Sequence, residues 1–286
     1  MAEWQKTPVT AVVTAAELRN QLLALGIRST DSCLVHTALS QFGYIPGGEQ
    51  TVVSVLKHVL SQGNIVMPAQ TVDYSDPRTW DTPAATASAA QRIYANMPPF
   101  DRQLSPVHFI GRTPEYFRTL PGTVRSNHPL YSMTAWGQNS VEICETTTLD
   151  LPFGVSGPLQ KLYALNGKVV MLGTDYESCT VLHLAESTID RPQHREIAPV
   201  AVGDRTEWRG FNNVPLEPYD DFNRVGARFE QAQPHLVRRL AVAPGTITVV
   251  PIRPLVDFAR DYYHRKDQQH QAELRQWGTV PALKTN

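Results

Sequence analysis

Two side chains with complementary acid–base chemistry lie three positions apart in the segment TVLHLAE, which contains His183 and Glu186. On a helix, residues at this spacing share one face, so the carboxylate can hold the imidazole in one tautomer and raise its basicity. Such a pair is suited to act as a general base, and Thr180 lies one turn before His183 as a possible hydroxyl donor. The alternative is a solvated pair on an exposed helix, which contributes little to stability or chemistry.

The position of the pair in the chain favours the functional interpretation. The apolar run Val169–Leu172, which ends at Gly173, predicts a short strand buried on both faces of a sheet. Asp175, Ser178 and Thr180 follow, and any of them can cap the next helix. Polar groups just beyond the carboxyl end of a strand lie where open α/β sheets place their ligands.

A second strand end carries a similar group of polar residues. His36, Thr37 and Ser40 come directly after the apolar pair Leu34-Val35, and Gly47-Gly48 precede a predicted helix. The free amide groups at such a helix start can hold phosphate oxygens, so one nucleotide-like ligand could contact both segments. Two glycines before a helix also occur as a simple turn.

Acidic residues are concentrated in two places. Residues 72–99 are rich in Ala, Thr, Ser, Asp and Pro and predict a long, lid-like excursion that includes Asp73. A second acidic cluster surrounds Asp220, within a segment at 190–240 that we expect to be peripheral. Together with Asp175, these carboxylates predict a cationic substrate; the alternative is that each aspartate only forms a turn.

Other elements follow from capping residues and alternation. Thr14 with Glu17 predicts a capping box at the start of a helix that stops at Gly26. Thr113 is predicted to cap a helix with Pro114 at its first position. Further predictions are a strand at 64–67, an antiparallel strand in YSMTAWG after His128, a strand at 247–252, a helix at 255–264, and a poorly ordered tail, QWGTVPALKTN.

Composition limits the class of protein. The chain has 286 residues, 42% hydrophobic and 19% charged, which predicts a globular protein with either one large α/β domain or two smaller ones. A formal net charge of -1 disfavours nucleic acid as a partner. The three cysteines indicate a reduced compartment, and with neither a signal peptide nor a membrane span apparent we expect a soluble cytoplasmic protein. His36, His128 and His183 lack diagnostic metal spacing, so no metal is expected.

With these pieces placed, the chain resembles the aminoglycoside 3-N-acetyltransferase family, whose members use acetyl-coenzyme A. The resemblance spans about residues 15 to 260 and rests on blocks in family order: LVHTALSQFGYIPGG, GNIVMPAQT, PPFD, GRTPEYFRTLPG, RSNHP, GPLQKLYAL and LGTDYESCTVLHLAE. It implies a single domain over 1–286 with a three-layer α/β/α fold around a central mixed sheet, distinct from the common acetyltransferase fold with a splayed sheet.

The resemblance also implies roles for individual residues. His183 and Glu186 become the catalytic pair with Thr180 beside them, and His128 becomes a residue that lines the substrate site. The residues expected to bind coenzyme A are His36, Thr37, Ala38, Leu39, Ser40, Gly47, Gly48 and Ser156. The sequence departs from the family where many members have serine at the position of Gly157.

The implied reaction is direct transfer of an acetyl group from acetyl-coenzyme A to the 3-amino group of a polycationic aminoglycoside, giving antibiotic resistance. One alternative is a relative that acetylates another small amine, and a second is a non-catalytic module that binds coenzyme A. Within the enzyme, Cys179 as an acetylated nucleophile is a competing mechanism. The expected assembly is a monomer or a homodimer, with no membrane partner.

Overall fold

A mixed sheet of seven strands divides the protein into two helical layers. The computed structural model describes residues 8–80, 84–242 and 244–277. The strands in this part of the chain are β1 (Ser32–Thr37), β2 (Asn64–Pro68), β3 (Val124–Arg125), β4 (Met133–Gly137), β5 (Lys168–Leu172), β6 (His194–Val202), β7 (Arg205–Asn213), β8 (Arg238–Val242) and β9 (Gly245–Pro251). The sheet order is β3-β4-β2-β1-β5-β9-β8, while β6 and β7 pair as a separate ribbon.

The centre of the sheet is parallel. Strand β1 pairs in parallel with β2 on one side and with β5 on the other, whereas β4 and β9 run antiparallel to their neighbours. The carboxyl ends of β1, β2 and β5 therefore meet at one edge, where an open sheet places its ligand crevice. The predicted strands at 64–67, 169–172 and 247–252 and the antiparallel strand within YSMTAWG are confirmed.

Helices cover both faces of the sheet, as the predicted α/β/α class requires. They are α1 (Ala15–Ala24), α2 (Glu49–Val59), α3 (Ala87–Asn96), α4 (Arg112–Arg118), α5 (Ser140–Cys144), α6 (Pro158–Ala164), α7 (Leu182–Ser187), α8 (Phe222–Ala232), α9 (Ile252–Gln269) and α10 (Gln271–Trp277). Helices α1, α2 and α4 pack on one face, and α5 to α9 pack on the other.

Alternation along β1 separates the two layers. Cys33 and Val35 point towards α1 and α2, and Leu34 points towards α7 and α9. All three are completely buried. His36 stands two residues after Leu34, so it shares the face that α7 covers.

The first helix has the predicted start and stop. The Thr14 backbone amide donates to the Glu17 carboxylate at 2.8 Å, and the Glu17 amide donates to the Thr14 hydroxyl at 3.3 Å, which is a complete capping box. Gly26 then takes a φ of 80°, a left-handed conformation that glycine adopts without strain. Losing such a cap costs about 1 kcal/mol.

The predicted start of α4 is wrong. The helix begins at Arg112, and Thr113 lies inside its first turn without a capping hydrogen bond. Gly111, with a φ of 101°, is the N-cap residue. The backbone turn at this glycine therefore sets the helix start, and the local preference of threonine for a cap position is overridden.

The segment at 72–99 contains regular structure. Helix α3 packs on the β6–β7 ribbon through Tyr94 and Trp208, whose rings stack at 4.2 Å, and the Arg78 guanidinium lies 4.2 Å from the Tyr94 ring. Residues 81–83 of this segment lie outside the described residues. Its role as a lid and the single-domain boundaries of 1–286 stay predictions.

The carboxyl-terminal elements differ in extent from the predicted ones. Helix α9 continues to Gln269, five residues beyond the predicted end at His264. The expected tail begins inside α10, and its residues 278–286 lie outside the described chain. In the part of the chain that the structure describes, no helix is both long and apolar enough to cross a lipid bilayer.

Candidate active site

His183 and Glu186 form a hydrogen-bonded pair inside the protein. The His183 Nδ1 atom lies 2.9 Å from a Glu186 carboxylate oxygen, and the side chains are 13% and 0% exposed. A solvated surface pair is therefore excluded. Because Nδ1 contacts the carboxylate, it carries the proton in the neutral ring, and Nε2 keeps a free lone pair.

Aromatic packing fixes the plane of the His183 ring. Phe153 stacks on it at 4.9 Å with an interplanar angle of 20°, and Phe222 contacts it at 5.0 Å. Both phenylalanines are buried and come from segments far apart in the sequence. The imidazole thereby contacts two apolar rings, which restrict its orientation.

The carboxylate of Glu186 is saturated with donors. Besides His183, it accepts from the Arg191 guanidinium at 3.1 Å and from the Glu217 backbone amide at 2.9 and 3.1 Å. Charge-assisted hydrogen bonds of this kind are the strong ones in proteins. Glu186 is therefore fixed in position as an acceptor behind the histidine.

A second carboxylate completes the network. Arg191 has a fully buried side chain and makes a bidentate salt bridge with Asp267 of α9. Its Nε and Nη2 atoms donate to the two carboxylate oxygens at 2.9 and 3.0 Å. The Tyr219 hydroxyl donates to the same Asp267 at 2.8 Å. These contacts link α7, the chain after it and the end of α9, and no sequence pattern singles out Arg191 or Asp267.

The segments after β1 and β5 touch each other. The Ala38 amide donates to the Leu172 carbonyl at 2.8 Å. A Cβ on Gly173 would lie 2.6 Å from the Ala38 carbonyl oxygen, so only glycine permits this close approach. The turn from Thr37 to Ser40 and the segment leading to His183 therefore border one region.

His36 lies at the end of β1, next to this contact. It is 5% exposed, and its pKa is lowered to about 3, chiefly by burial and in addition by nearby His183. Its ring is therefore neutral at physiological pH. Leu39 and Ser40 begin a single 3₁₀ turn at Leu39–Phe42 that leads the chain out of the strand.

Gly47 and Gly48 form the turn before α2, with φ values of 80° and 53°, and α2 has no side-chain cap. Close by, a groove of about 900 Å³ lies between α2 and α4, lined in part by Glu49, His108 and Arg112. The Arg112 guanidinium bridges the two helices through Glu49 at 3.2 Å. The expected role of both glycines in binding coenzyme A stays a prediction.

Ser156 and His128 line one narrow cleft, beside the loop that carries Phe153. A Cβ on Gly157 would lie 2.3 Å from the Pro152 carbonyl oxygen, so a side chain does not fit there.

Both ring nitrogens of His128 have partners within the protein. Nδ1 accepts from the Leu130 and Tyr131 amides at 3.2 and 3.0 Å, and Nε2 lies 3.0 Å from the Leu149 carbonyl. A substrate contact by a His128 nitrogen would have to replace one of these bonds.

The predicted acidic residues fall into two groups. Asp73 pairs with His108 at 2.9 Å, and His108 lines the groove between α2 and α4. Asp220 is exposed and shares a cluster with Glu177 and Glu217, whose carboxylate oxygens all lie within 4.8 Å of one another.

Asp175 adjoins the same cluster, because it accepts from the Glu177 amide at 3.1 Å. The only candidate metal-binding group in the described chain is this all-carboxylate set, and His36, His128 and His183 do not form one.

The Cys179 thiol lacks the features of a nucleophile. The residue is completely buried, and burial raises the pKa of its thiol to about 12. The thiolate, which is the reactive form, is therefore scarce at neutral pH. Thr180, the next residue, is 7% exposed, and its carbonyl accepts from the His183 amide at 3.1 Å.

Comparison with known proteins decides the family. The family model described as aminoglycoside 3-N-acetyltransferase matches residues 34–264. The chain belongs to the aminoglycoside 3-N-acetyltransferase family. It is thus an acyltransferase of this family, as its sequence motifs predict.

Individual members of the family resemble the chain over most of its length. The YokD protein of Bacillus subtilis, a prophage-derived aminoglycoside N(3')-acetyltransferase-like protein, is 32% identical over 90% of this chain and 94% of its own. Its crystal structure superimposes with a TM-score of 0.86, covering 91% of this chain and 97% of YokD. Aminoglycoside N(3)-acetyltransferase VII of Streptomyces paromomycinus is 35% identical over 72% of each chain.

A further solved structure with a similar fold contains a ligand. It is described as AAC-IIIb in a binary complex with CoASH, is 26% identical, and superimposes with a TM-score of 0.79 over 90% of this chain and 98% of its own. These matches confirm the predicted three-layer fold and the family.

Proposed function

We propose that the protein transfers the acetyl group of acetyl-coenzyme A to the 3-amino group of an aminoglycoside, with His183 as general base. The observation that carries this proposal is the buried His183–Glu186 pair, with one free ring nitrogen at the edge where β1, β2 and β5 end. Family membership supplies the reaction class. Because a relative of the same fold was solved with CoASH, acetyl-coenzyme A is the donor we infer.

The residues of the pair have distinct tasks. An ammonium group has no lone pair, so the attacking amine must lose a proton before or during attack on the thioester carbonyl. His183 Nε2 accepts that proton, and Glu186 holds the ring in place and stabilises the imidazolium that forms. The same imidazolium can return its proton to the departing thiolate.

The acidic cluster of Glu177, Glu217 and Asp220 supports a polycationic acceptor. The Glu217 amide contacts the catalytic carboxylate, so the cluster begins directly beside the base. The carboxylates of Glu177 and Asp220 can bind the ammonium groups of an aminoglycoside that do not react. Asp175 extends the same surface, and this attraction weakens as salt rises.

The test is release of coenzyme A thiol from acetyl-coenzyme A with a panel of aminoglycosides, beside simple diamines as matched amine controls. We expect release with aminoglycosides that carry a 3-amino group, and NMR of the product should place the acetyl group on that nitrogen. Release only with the simple amines would favour a relative that acetylates another small amine. Measurable coenzyme A binding without release from any amine would favour a non-catalytic module.

The acidic cluster also gives a prediction for stability. Burial, followed by the charges of Glu177 and Glu186, raises the pKa of Glu217 to about 8. A carboxyl whose pKa is higher in the folded state destabilises the fold when ionised, and this cost is absent below its ordinary pKa and complete above the raised one. We therefore expect Glu217→Gln to raise the melting temperature at pH 9 and to leave it nearly unchanged near pH 4.5.

Thermal unfolding of both proteins between pH 4.5 and 9 measures this effect. Glu207→Gln is the matched control, because Glu207 is exposed on β7 and its side chain is 53% accessible. A Glu217→Gln variant whose melting temperature differs from the wild type by the same amount at every pH would contradict the prediction.

A further inference from the structure

Arg191, the buried arginine behind the proposed base, is shared by two carboxylates. Its Nη1 atom donates to Glu186 at 3.1 Å and to the Pro215 carbonyl oxygen at 3.0 Å, whereas Nε and Nη2 both donate to Asp267. The bidentate arrangement is the stronger of the two, because it matches two parallel donors to two carboxylate oxygens. Asp267 is therefore the main partner of the guanidinium, and Glu186 receives one hydrogen bond from it.

The formal charges of these three side chains do not cancel. Glu186 and Asp267 carry one negative charge each, and Arg191 carries one positive charge. The group therefore leaves one negative charge behind His183, whose side chain is 13% exposed. Without the charge of Asp267, the other two would cancel. A protonated imidazole would then be a largely buried cation with no net counter-charge, which is unfavourable.

Other ionisable groups near the base leave this sum unchanged at neutral pH. Burial, with a smaller effect from His183, lowers the pKa of His36 to about 3, so the His36 ring is neutral. Burial and neighbouring carboxylates raise the pKa of Glu217 to about 8, so its carboxyl is mostly protonated. Burial also raises the pKa values of Tyr219 and Tyr263, which keeps both hydroxyls protonated.

The surroundings of Asp267 at the end of α9 include further polar groups. The Tyr219 hydroxyl donates to its carboxylate at 2.8 Å. Other titratable groups around the Tyr219 ring are Lys266, His270 and Glu273. The Lys266 ammonium is paired with Asp221 at 2.6 Å. All of these groups are retained in the variants compared below, so their contributions cancel in the comparison.

We propose that Asp267 is a positioning residue that acts on the base through Arg191. By neutralising the guanidinium, it leaves the Glu186 carboxylate a net negative charge with which to stabilise the imidazolium of His183. This inference rests on the proposed function. It extends the base from a histidine–glutamate pair to a chain of four side chains, of which only the first contacts the amine.

The Asp267→Asn variant tests the proposal, because it removes the charge and keeps the shape of the side chain. The pH at which half of the His183 rings are protonated is expected to fall by about one unit, the effect of one charge acting through a partly buried group. NMR titration of isotope-labelled histidine measures this midpoint. The His183 signal is assigned by its loss in His183→Gln, and the titration needs neither an acceptor nor coenzyme A.

Asp261→Asn is the matched control, because it removes a negative charge from an exposed position on the same helix. Its midpoint is expected to stay within about 0.2 units of the wild type, since water and salt screen an exposed charge. Should Asp267→Asn fail to fold, Asp267→Ser takes its place, because serine is also uncharged and leaves room for water.

Variants of opposite charge separate this role from structural damage. Arg191→Gln leaves two negative charges behind His183, so the midpoint is expected to rise. The double variant Arg191→Gln, Asp267→Asn restores a single negative charge, and its midpoint is expected to lie within about 0.3 units of the wild type. If the salt bridge only held the fold together, the double variant would depart from the wild type at least as far as either single variant.

Two results would overturn the proposal: an unchanged midpoint in Asp267→Asn, or an equal fall in Asp261→Asn. Failure of the proposed function is a separate result, since it would appear as no thiol release from any amine while the midpoints still shift as expected. Where an acceptor is found, the acid limb of kcat/KM is expected to move to lower pH in Asp267→Asn. The plateau of kcat is expected to fall by about 3- to 10-fold, because the base is weaker.

Discussion

Replacing His183 with glutamine is expected to lower kcat for acetyl transfer by about 10²- to 10⁴-fold, the usual contribution of a general base. Glutamine keeps a polar group at the position but cannot accept the proton of the attacking amine. The Michaelis constants for both substrates should change only a few-fold, because the acidic cluster and the cofactor segment are untouched. Steady-state kinetics by thiol release measures all three quantities.

Cys179→Ala is the control for this experiment. The thiol is buried with a pKa raised to about 12, and alanine leaves no unpaired hydroxyl in the core as serine would. We expect the alanine variant to retain kcat within a few-fold. An acetylated Cys179 detected by mass spectrometry, or a fully active His183→Gln variant, would contradict direct transfer with His183 as the base.

The second large effect concerns stability. Arg191→Met is expected to lower the free energy of unfolding by about 3–5 kcal/mol, since it leaves the buried carboxylates of Glu186 and Asp267 without their shared cation. Arg191 has no exposed side-chain surface, so water cannot replace the lost contacts. Urea unfolding followed by circular dichroism gives the change.

Arg209→Met provides the comparison. Arg209 lies on the exposed ribbon strand β7, its side chain is 56% accessible, and its distance to Glu207 is 3.8 Å. Surface pairs of this kind contribute at most about 1 kcal/mol. If both variants unfolded at the same urea concentration as the wild type, the Arg191 network would contribute nothing to the free energy of unfolding.

The local parts of this site could be predicted because they depend on short spacings. The i, i+3 relation puts His183 beside Glu186 whatever the rest of the fold does, and the apolar run before Gly173 specifies the strand that leads to them. The capping box at Thr14 is equally local. Each of these patterns fixes a contact within a few residues.

The remainder of the site depends on contacts that no local pattern specifies. Arg191 and Asp267 are 76 positions apart, and neither stands in a recognisable motif. The sequence predicts a peripheral segment at 190–240, yet this segment supplies Arg191 and the Glu217 amide to the Glu186 carboxylate. Only the three-dimensional packing of α9 against α7 brings these groups together.

The location of Asp267 in the last turn of α9 links the proposed catalytic centre to protein synthesis. Translation adds about 5–20 residues per second and releases the amino-terminal part first. The strands that end at the site emerge early, but a ribosome-bound chain stopped before Asp267 lacks the carboxylate that pairs with Arg191. The proposed base therefore gains its full set of supporting contacts only after synthesis has passed Asp267.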